Sequence, residues 1–189
     1  HHRWVLSIGN FNRPVRTDCG AEYVAPMFSP GSQSVISFAT YLSDVWAGSY
    51  KGKIYHSSDN GWTWEVAHNG TAFSTDVYAL AAYESTLYAG TYGNGVQRSA
   101  DRGKTWKLMD NGMDHSGIES LMLTSPDNNH LLAGANGAIY YTADGGLQWS
   151  KVNSTCGDCF AFAGNTINSS HYAATSTGFY HSVSTNNWI

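Results

Sequence analysis

The residues best suited to chemistry in this sequence are fourteen carboxylates, eight histidines, five arginines, three cysteines and many tyrosines and tryptophans. Two carboxyl groups at the right separation hydrolyse a glycosidic bond, but no pair among the fourteen is distinguished by its sequence context. Cys156-Gly-Asp-Cys159 is a single CxxC, which is half of a zinc ribbon or one redox pair. Cys19 is the third thiol, and in an oxidising compartment it is a disulfide candidate with Cys156 or Cys159. Adjacent His1 and His2 resemble a tag remnant, and no other histidines have ligand spacing. No metal and no cofactor is therefore expected. Asn69, Asn153 and Asn168 each open an Asn-x-Ser/Thr acceptor triplet.

A second set of residues is suited to binding. Tyr50 and Tyr92 stand at matching places in two similar segments, and Trp62 stands where the other copies carry Lys104, Leu147 and Asn187. Exposed rings of this kind stack on sugar faces or anchor protein partners. Residues 11–33 add Arg13, Arg16, Glu22 and Tyr23, a mixed-charge group able to orient a polar ligand.

The elements that position these residues follow from an internal repeat. Val45-Trp-Ala-Gly-Ser-Tyr50, Leu87-Tyr-Ala-Gly-Thr-Tyr92, Leu131-Leu-Ala-Gly-Ala-Asn136 and His171-Tyr-Ala-Ala-Thr-Ser176 align, each followed by a Ser/Thr-x-Asp-x-Gly-x-x-Trp pattern. That pattern is Ser57, Asp59, Gly61, Trp64 in the first copy. It is Ser99, Asp101, Gly103, Trp106 in the second and Thr142, Asp144, Gly146, Trp149 in the third. The fourth copy is worn, with Ser184 for the Asp and Asn186 for the Gly. The Asp positions lie 42 and 43 apart, the period of a four-stranded propeller blade. High Gly, Tyr and Trp content suits short strands and tight turns. Charged residues are only 13% and the net charge is −4, which gives no basic footprint for nucleic acid. No apolar run reaches the length of a membrane span.

These motifs resemble the Asp-box, or BNR, repeats of sialidases, xyloglucan-active glycoside hydrolases, sortilin-type receptors and photosystem assembly factors. The resemblance implies an all-β propeller with the Asp-box in each C–D hairpin. It also implies that the Asp-box is structural and lies away from the ligand face. A sialidase would require an arginine triad with a Tyr–Glu pair, which the five arginines here do not supply. The expected units are residues 34–75, 76–116, 117–157 and 158–189. Residues 1–10 read as a D strand of a split or preceding blade, and 11–33 as a D–A insertion at the rim of the ligand face. The ring is either closed by the N-terminal strand at four blades or is part of a larger propeller with blades from the same or another chain. The expected function is a non-catalytic, secreted, periplasmic or cell-surface module that binds a glycan or protein partner. The rival is part of a sialidase- or xyloglucanase-like glycoside hydrolase.

Overall fold

A computed structural model describes residues 7–8, 14–16, 25–26, 34–69, 73, 75–114, 117–153, 156–165, 170–182 and 188. They form eighteen strands and one short 3-10 turn at Tyr50–Gly52. The first four-stranded sheet holds β4 (Val35–Tyr41), β5 (Asp44–Ser49), β6 (Lys53–Ser57) and β7 (Glu65–Asn69). The second holds β8 (Val77–Tyr83), β9 (Thr86–Thr91), β10 (Val96–Ser99) and β11 (Lys107–Leu108). The third holds β12 (Ile118–Leu123), β13 (Leu131–Ala135), β14 (Ala138–Thr142) and β15 (Ser150–Asn153). A fourth sheet has β16 (Cys159–Asn165), β17 (Ser170–Thr175) and β18 (Gly178–Ser182), with a single bridge from Ser182 to Trp188 where the others have a fourth strand. All pairings are antiparallel between sequence neighbours. Each sheet is therefore one propeller blade.

The blades stack through three cores. Trp46, Ile54, Val77 and Leu87 pack between the first and second blades. Tyr88, Val96, Ile118 and Leu131 pack between the second and third. Leu132, Ile139, Cys159 and Ala173 pack between the third and fourth. The Ala-Gly of the second strand in the first three blades has a steric cause. A Cβ on Gly48 would lie 2.7 Å from Val77, one on Gly90 2.6 Å from Ile118, and one on Gly134 2.7 Å from Cys159. The first strand of the next blade thus runs against bare backbone. Hydroxyls tie the same seams, with Ser37 Oγ donating to Val77 O at 2.7 Å and Ser120 Oγ to Cys159 O at 2.8 Å.

The N-terminal segment departs from the expected phase. β1 (Ser7–Ile8), β2 (Pro14–Arg16) and β3 (Ala25–Pro26) form a small antiparallel meander. Adding 40 to each number maps Ser7↔Val15 onto Ala47↔Tyr55, Ile8↔Pro14 onto Gly48↔Ile54, Val15↔Pro26 onto Tyr55↔Val66 and Arg16↔Ala25 onto His56↔Glu65. The strand at Ser7 is therefore the counterpart of a B strand, not of a D strand. It pairs with β2 rather than completing the fourth blade. Residues 11–33 are not one loop between D and A strands, because they contain the C and D strands of this sheet. The Trp at position 4 suggested a D strand, but register outranks a single ring.

Candidate functional site

The Asp-box turns explain themselves locally. In the first, Ser57 Oγ donates to Asp59 at 2.7 Å and accepts from Gly61 N at 2.7 Å, while Asp59 accepts from Thr63 N at 2.8 Å and Thr63 Oγ1 at 2.6 Å. The second repeats this with Ser99, Asp101, Gly103 and Thr105. The third has Gln148 in place of that Thr and keeps only the backbone bond, at 3.0 Å. Gly61, Gly103 and Gly146 all have φ between +84° and +91°, where a side chain is strained. The bonds from Thr63 hold the Asp59 carboxyl at about 2. Burial pushes Asp101 up, but bonds from Thr105 and Ser99 outweigh it and leave it at about 2. Trp64 and Trp106 donate to the carbonyls of Gly61 and Gly103, whereas Trp149 reaches back to Met109 O of the preceding blade at 2.8 Å. The hydrogen bonds to these carboxylates come from within their own turns, so they act as staples.

The two ends of each blade are distinct. Asn60 N bonds Ser43 O and Arg102 N bonds Ser85 O, which places the Asp-boxes beside the A–B turns. At the other end Tyr50 N bonds Ser34 O, Tyr92 N bonds Asp76 O and Ser176 N bonds Asp158 O. The B–C loops and the starts of the A strands therefore share one face. Trp62, 59% exposed, sits on an Asp-box and is separated from Tyr50 and Tyr92, which are both exposed on the opposite face. Arg16 is part of β2, and Arg13, Glu22, Tyr23 and Cys19 lie outside the described residues, as does Asn168. Asn69 ends β7 and Asn153 ends β15.

The Tyr face has a feature that sequence reading passed over. Each A strand carries a register shift at the same place, between Val35 and Ser37, Val77 and Ala79, Ile118 and Ser120, and Cys159 and Ala161. The extra residues are Ile36, Tyr78, Glu119 and Phe160. Such bulges re-aim a side chain. Tyr78 packs edge-on against Tyr92 with centroids 5.7 Å apart. Burial raises the Tyr78 hydroxyl above its ordinary value, and the charges of Asp76 and Glu119 and the neighbouring Tyr50 and Tyr92 push the same way. Glu119 is raised by burial and then by the charge of Asp158, and its Oε2 is buried without a hydrogen-bond partner. Lys51 N donates to Asp76 Oδ1 at 2.9 Å, tying the first B–C loop to the second blade. Tyr50, Asp76, Tyr78, Tyr92, Glu119 and Asp158 thus form one mixed aromatic and acidic rim. A signal for it was present in the repeats: position 36/78/119/160 varies as Ile, Tyr, Glu and Phe between near-uniform neighbours.

Other candidates resolve differently. Cys156 and Cys159 are buried free thiols. Burial raises both, Cys159 to about 12, so they stay protonated and unreactive at neutral pH. His56 is buried, bonded to Asp44 at 2.6 Å and stacked on Trp46. His171 is a core residue, 2% exposed, with neither ring nitrogen bonded. Among the described residues no group of three His, Cys, Asp or Glu is placed to hold a metal. Among the described residues no helix is long and apolar enough to cross a membrane.

Four stacked antiparallel sheets, three of them with Asp-box hairpins, define a BNR-type β-propeller. The chain belongs to the Sortilin-Vps10 family, whose model, described as "Sortilin, neurotensin receptor 3", matches residues 52–187. No curated protein matches it. Among solved structures it is similar to the GH74 xyloglucanase from Xanthomonas campestris, at 14% identity and TM-score 0.73 over 95% of this chain and 34% of that one. The extracellular domain of a putative hybrid two component system, BT4673 of B. thetaiotaomicron, matches at 16% identity and TM-score 0.75, over 96% and 25%. YCF48 bound to D1 peptide matches at 16% identity and TM-score 0.71, over 100% and 62%. The chain thus spans about a third of the xyloglucanase and a quarter of the sensor domain.

Proposed function

We propose that this chain is an exported, non-catalytic binding propeller that recognises a glycan through the rim formed by Tyr50, Asp76, Tyr78, Tyr92, Glu119 and Asp158. The observation that carries this is the repeated A-strand bulge, which sets Tyr78 and Glu119 beside two exposed tyrosines. Flat rings interleaved with carboxylates suit the apolar faces and hydroxyl edges of a sugar. A similar structure that acts on xyloglucan and another described as an extracellular domain support a saccharide outside the cytoplasm. A protein ligand is the other partner class, supported by the peptide held by YCF48.

One observation favours a second reading. The carboxyl of Glu119 is raised beside the charge of Asp158, and a raised and an ionised carboxyl are the acid and base of glycoside hydrolysis. A panel of plant and microbial glycans separates the two readings. Retention of a glycan with no reducing ends released supports the binding module. Release of reducing ends that disappears in Glu119→Gln replaces it with a hydrolase. Binding to none of the glycans, with capture of a peptide, overturns the glycan reading.

A further inference from the structure

The seam between the second and third blades brings two cations together, Arg98 and Lys107. Register sets Arg98 between Tyr88 on β9 and Lys107 on β11, so the three side chains share one side of the sheet. On that side Tyr88 packs against the third blade and donates to Asn128 O at 2.6 Å and to Gly145 O at 3.2 Å. Arg98 leans on the Tyr88 ring, with Cζ 5.8 Å from the centroid, and on its hydroxyl, both neutral partners. The buried Nε of Arg98 has no hydrogen-bond partner. Among the described residues neither Arg98 nor Lys107 has a carboxylate within 4 Å. Asp101 and Asp144 of the adjoining turns are bonded inside their own boxes, and Asp127 is bonded to Ser125 and Asn129. Like charges directly opposite one another on a sheet repel. With Met109, the two cations line an open cavity of about 200 Å³.

The first blade shows what completes this place. His56 is the counterpart of Arg98. One ring nitrogen is 2.6 Å from Asp44 and the other 3.4 Å from Glu65, the residue opposite it on β7. The following box adds Arg102, whose Nη1 is 3.9 Å from the same Asp44. Charge is therefore matched within the chain at the first seam. In the second blade the permanent charge of a guanidinium stands at that position. Thr86 replaces Asp44 and Lys107 replaces Glu65, while Gly145 and Leu147 stand where Arg102 and Lys104 do. The third blade is uncharged there on its C and D strands, with Tyr141 bonded to His130 at 2.6 Å and opposite Ser150. Of these three blades, only the second gathers cations and omits the acids, in a chain whose net charge is −4.

We infer that the Arg98–Lys107 cavity binds an oxyanion (a sulfate, a phosphate or a carboxylate), which supplies the acceptors that Asp44 and Glu65 supply to His56. A guanidinium holds such a group through two parallel N–H bonds. The site lies beside the second Asp-box, at the end of the blade opposite the tyrosine rim, and is independent of what the rim binds. Sodium sulfate, sodium phosphate and sodium glucuronate are titrated into the full chain by calorimetry, at one ionic strength set with chloride. Saturable binding of at least one is expected, weakened at least ten-fold in Arg98→Gln and in Lys107→Gln. Lys104→Gln removes the same charge at the first seam and should leave the affinity unchanged, as should Tyr92→Ala. Lys107→Glu gives the second blade the acid of the first. It should abolish binding and, in chloride alone, raise the melting temperature by about 1–4 °C. Tightest binding of glucuronate would mark a saccharide carboxylate as the source, and tightest binding of sulfate or phosphate an inorganic or ester group. Absence of saturable binding for all three would overturn the proposal. So would binding that survives both glutamine variants, or that Lys104→Gln weakens as much as they do.

Discussion

Gly134→Ala tests whether the blades stack as described. An added Cβ would lie 2.3 Å from Ser120 Oγ, 2.7 Å from Cys159 Cβ and 2.8 Å from Cys159 O. Two of these atoms belong to β16, so a rotamer change cannot relieve the contact and the fourth blade must move outward. Overpacking of this kind costs about 1–3 kcal/mol. The 2.8 Å bond from Ser120 Oγ to Cys159 O is lost with it, for about 1 kcal/mol more. Replacing Gly returns about 0.4–1 kcal/mol by restricting the unfolded chain. The net expectation is about 2–3 kcal/mol of destabilisation, a large share of the stability of a domain. Urea unfolding followed by tryptophan fluorescence measures it, with Ala174→Gly on the uncovered fourth blade as the control. That control should cost only the backbone freedom of Gly, about 0.5–1 kcal/mol. A Gly134→Ala protein within about 0.5 kcal/mol of the parent would refute the claim that close strand approach dictates the Ala-Gly motif.

Further outcomes follow from the same contacts. Burial lowers His171, so the folded state holds it neutral and the unfolded chain takes the proton first. Its contribution is intact above the ordinary value of 6.5 and declines as pH falls below it. His171→Leu, which copies Leu87 and Leu131, should flatten that acid loss in thermal melts and stabilise the neutral protein by about 1–3 kcal/mol. Asp101→Ala should cost about 1 kcal/mol, discounted for an exposed turn. In the parent, the stability owed to Asp101 should be complete above 3.8 and vanish as pH falls through about 2. Trp149→Ala removes a ring that is 1% exposed and its bond to Met109 O, and should cost about 3–5 kcal/mol. The half-buried Trp64 should cost distinctly less in the same denaturation series. Replacing residues 11–33 with a short Gly-Ser turn deletes β2 and β3. It should lower the melting temperature rather than leave folding intact.

The blades were legible because the repeat is redundant. Three copies of Ser/Thr-x-Asp-x-Gly-x-x-Trp fix a hairpin in each, and the A strands begin one residue from where the pattern puts them, at Val35, Val77, Ile118 and Cys159. Residues 1–33 were misread because Trp4 imitates Trp64 and Trp106, while pairing register is a long-range property that a short motif does not carry. The burial of His171 is legible from its place in the column of Val45, Leu87 and Leu131 rather than from composition. Tyr50 and Tyr92 are legible as exposed loop residues because they stand in aligned segments. Tyr78, Glu119, Asp76 and Asp158 were missed because their meeting depends on a bulge, which shifts a strand by one residue without altering its alternating pattern.

Where the ligand sits is open to direct measurement. Titration calorimetry of the glycan retained best by the parent, repeated with Tyr92→Ala, Glu119→Gln and Trp62→Ala, reads this directly. Tyr92 and Trp62 are each 59% exposed, so neither change should disturb the fold. Loss of one stacking ring should weaken binding at least ten-fold in Tyr92→Ala. Glu119→Gln should weaken it as well, and Trp62→Ala, on the opposite face, should leave it unchanged. Full affinity in both rim variants, with binding lost in Trp62→Ala, would place the site on the Asp-box face and contradict the account.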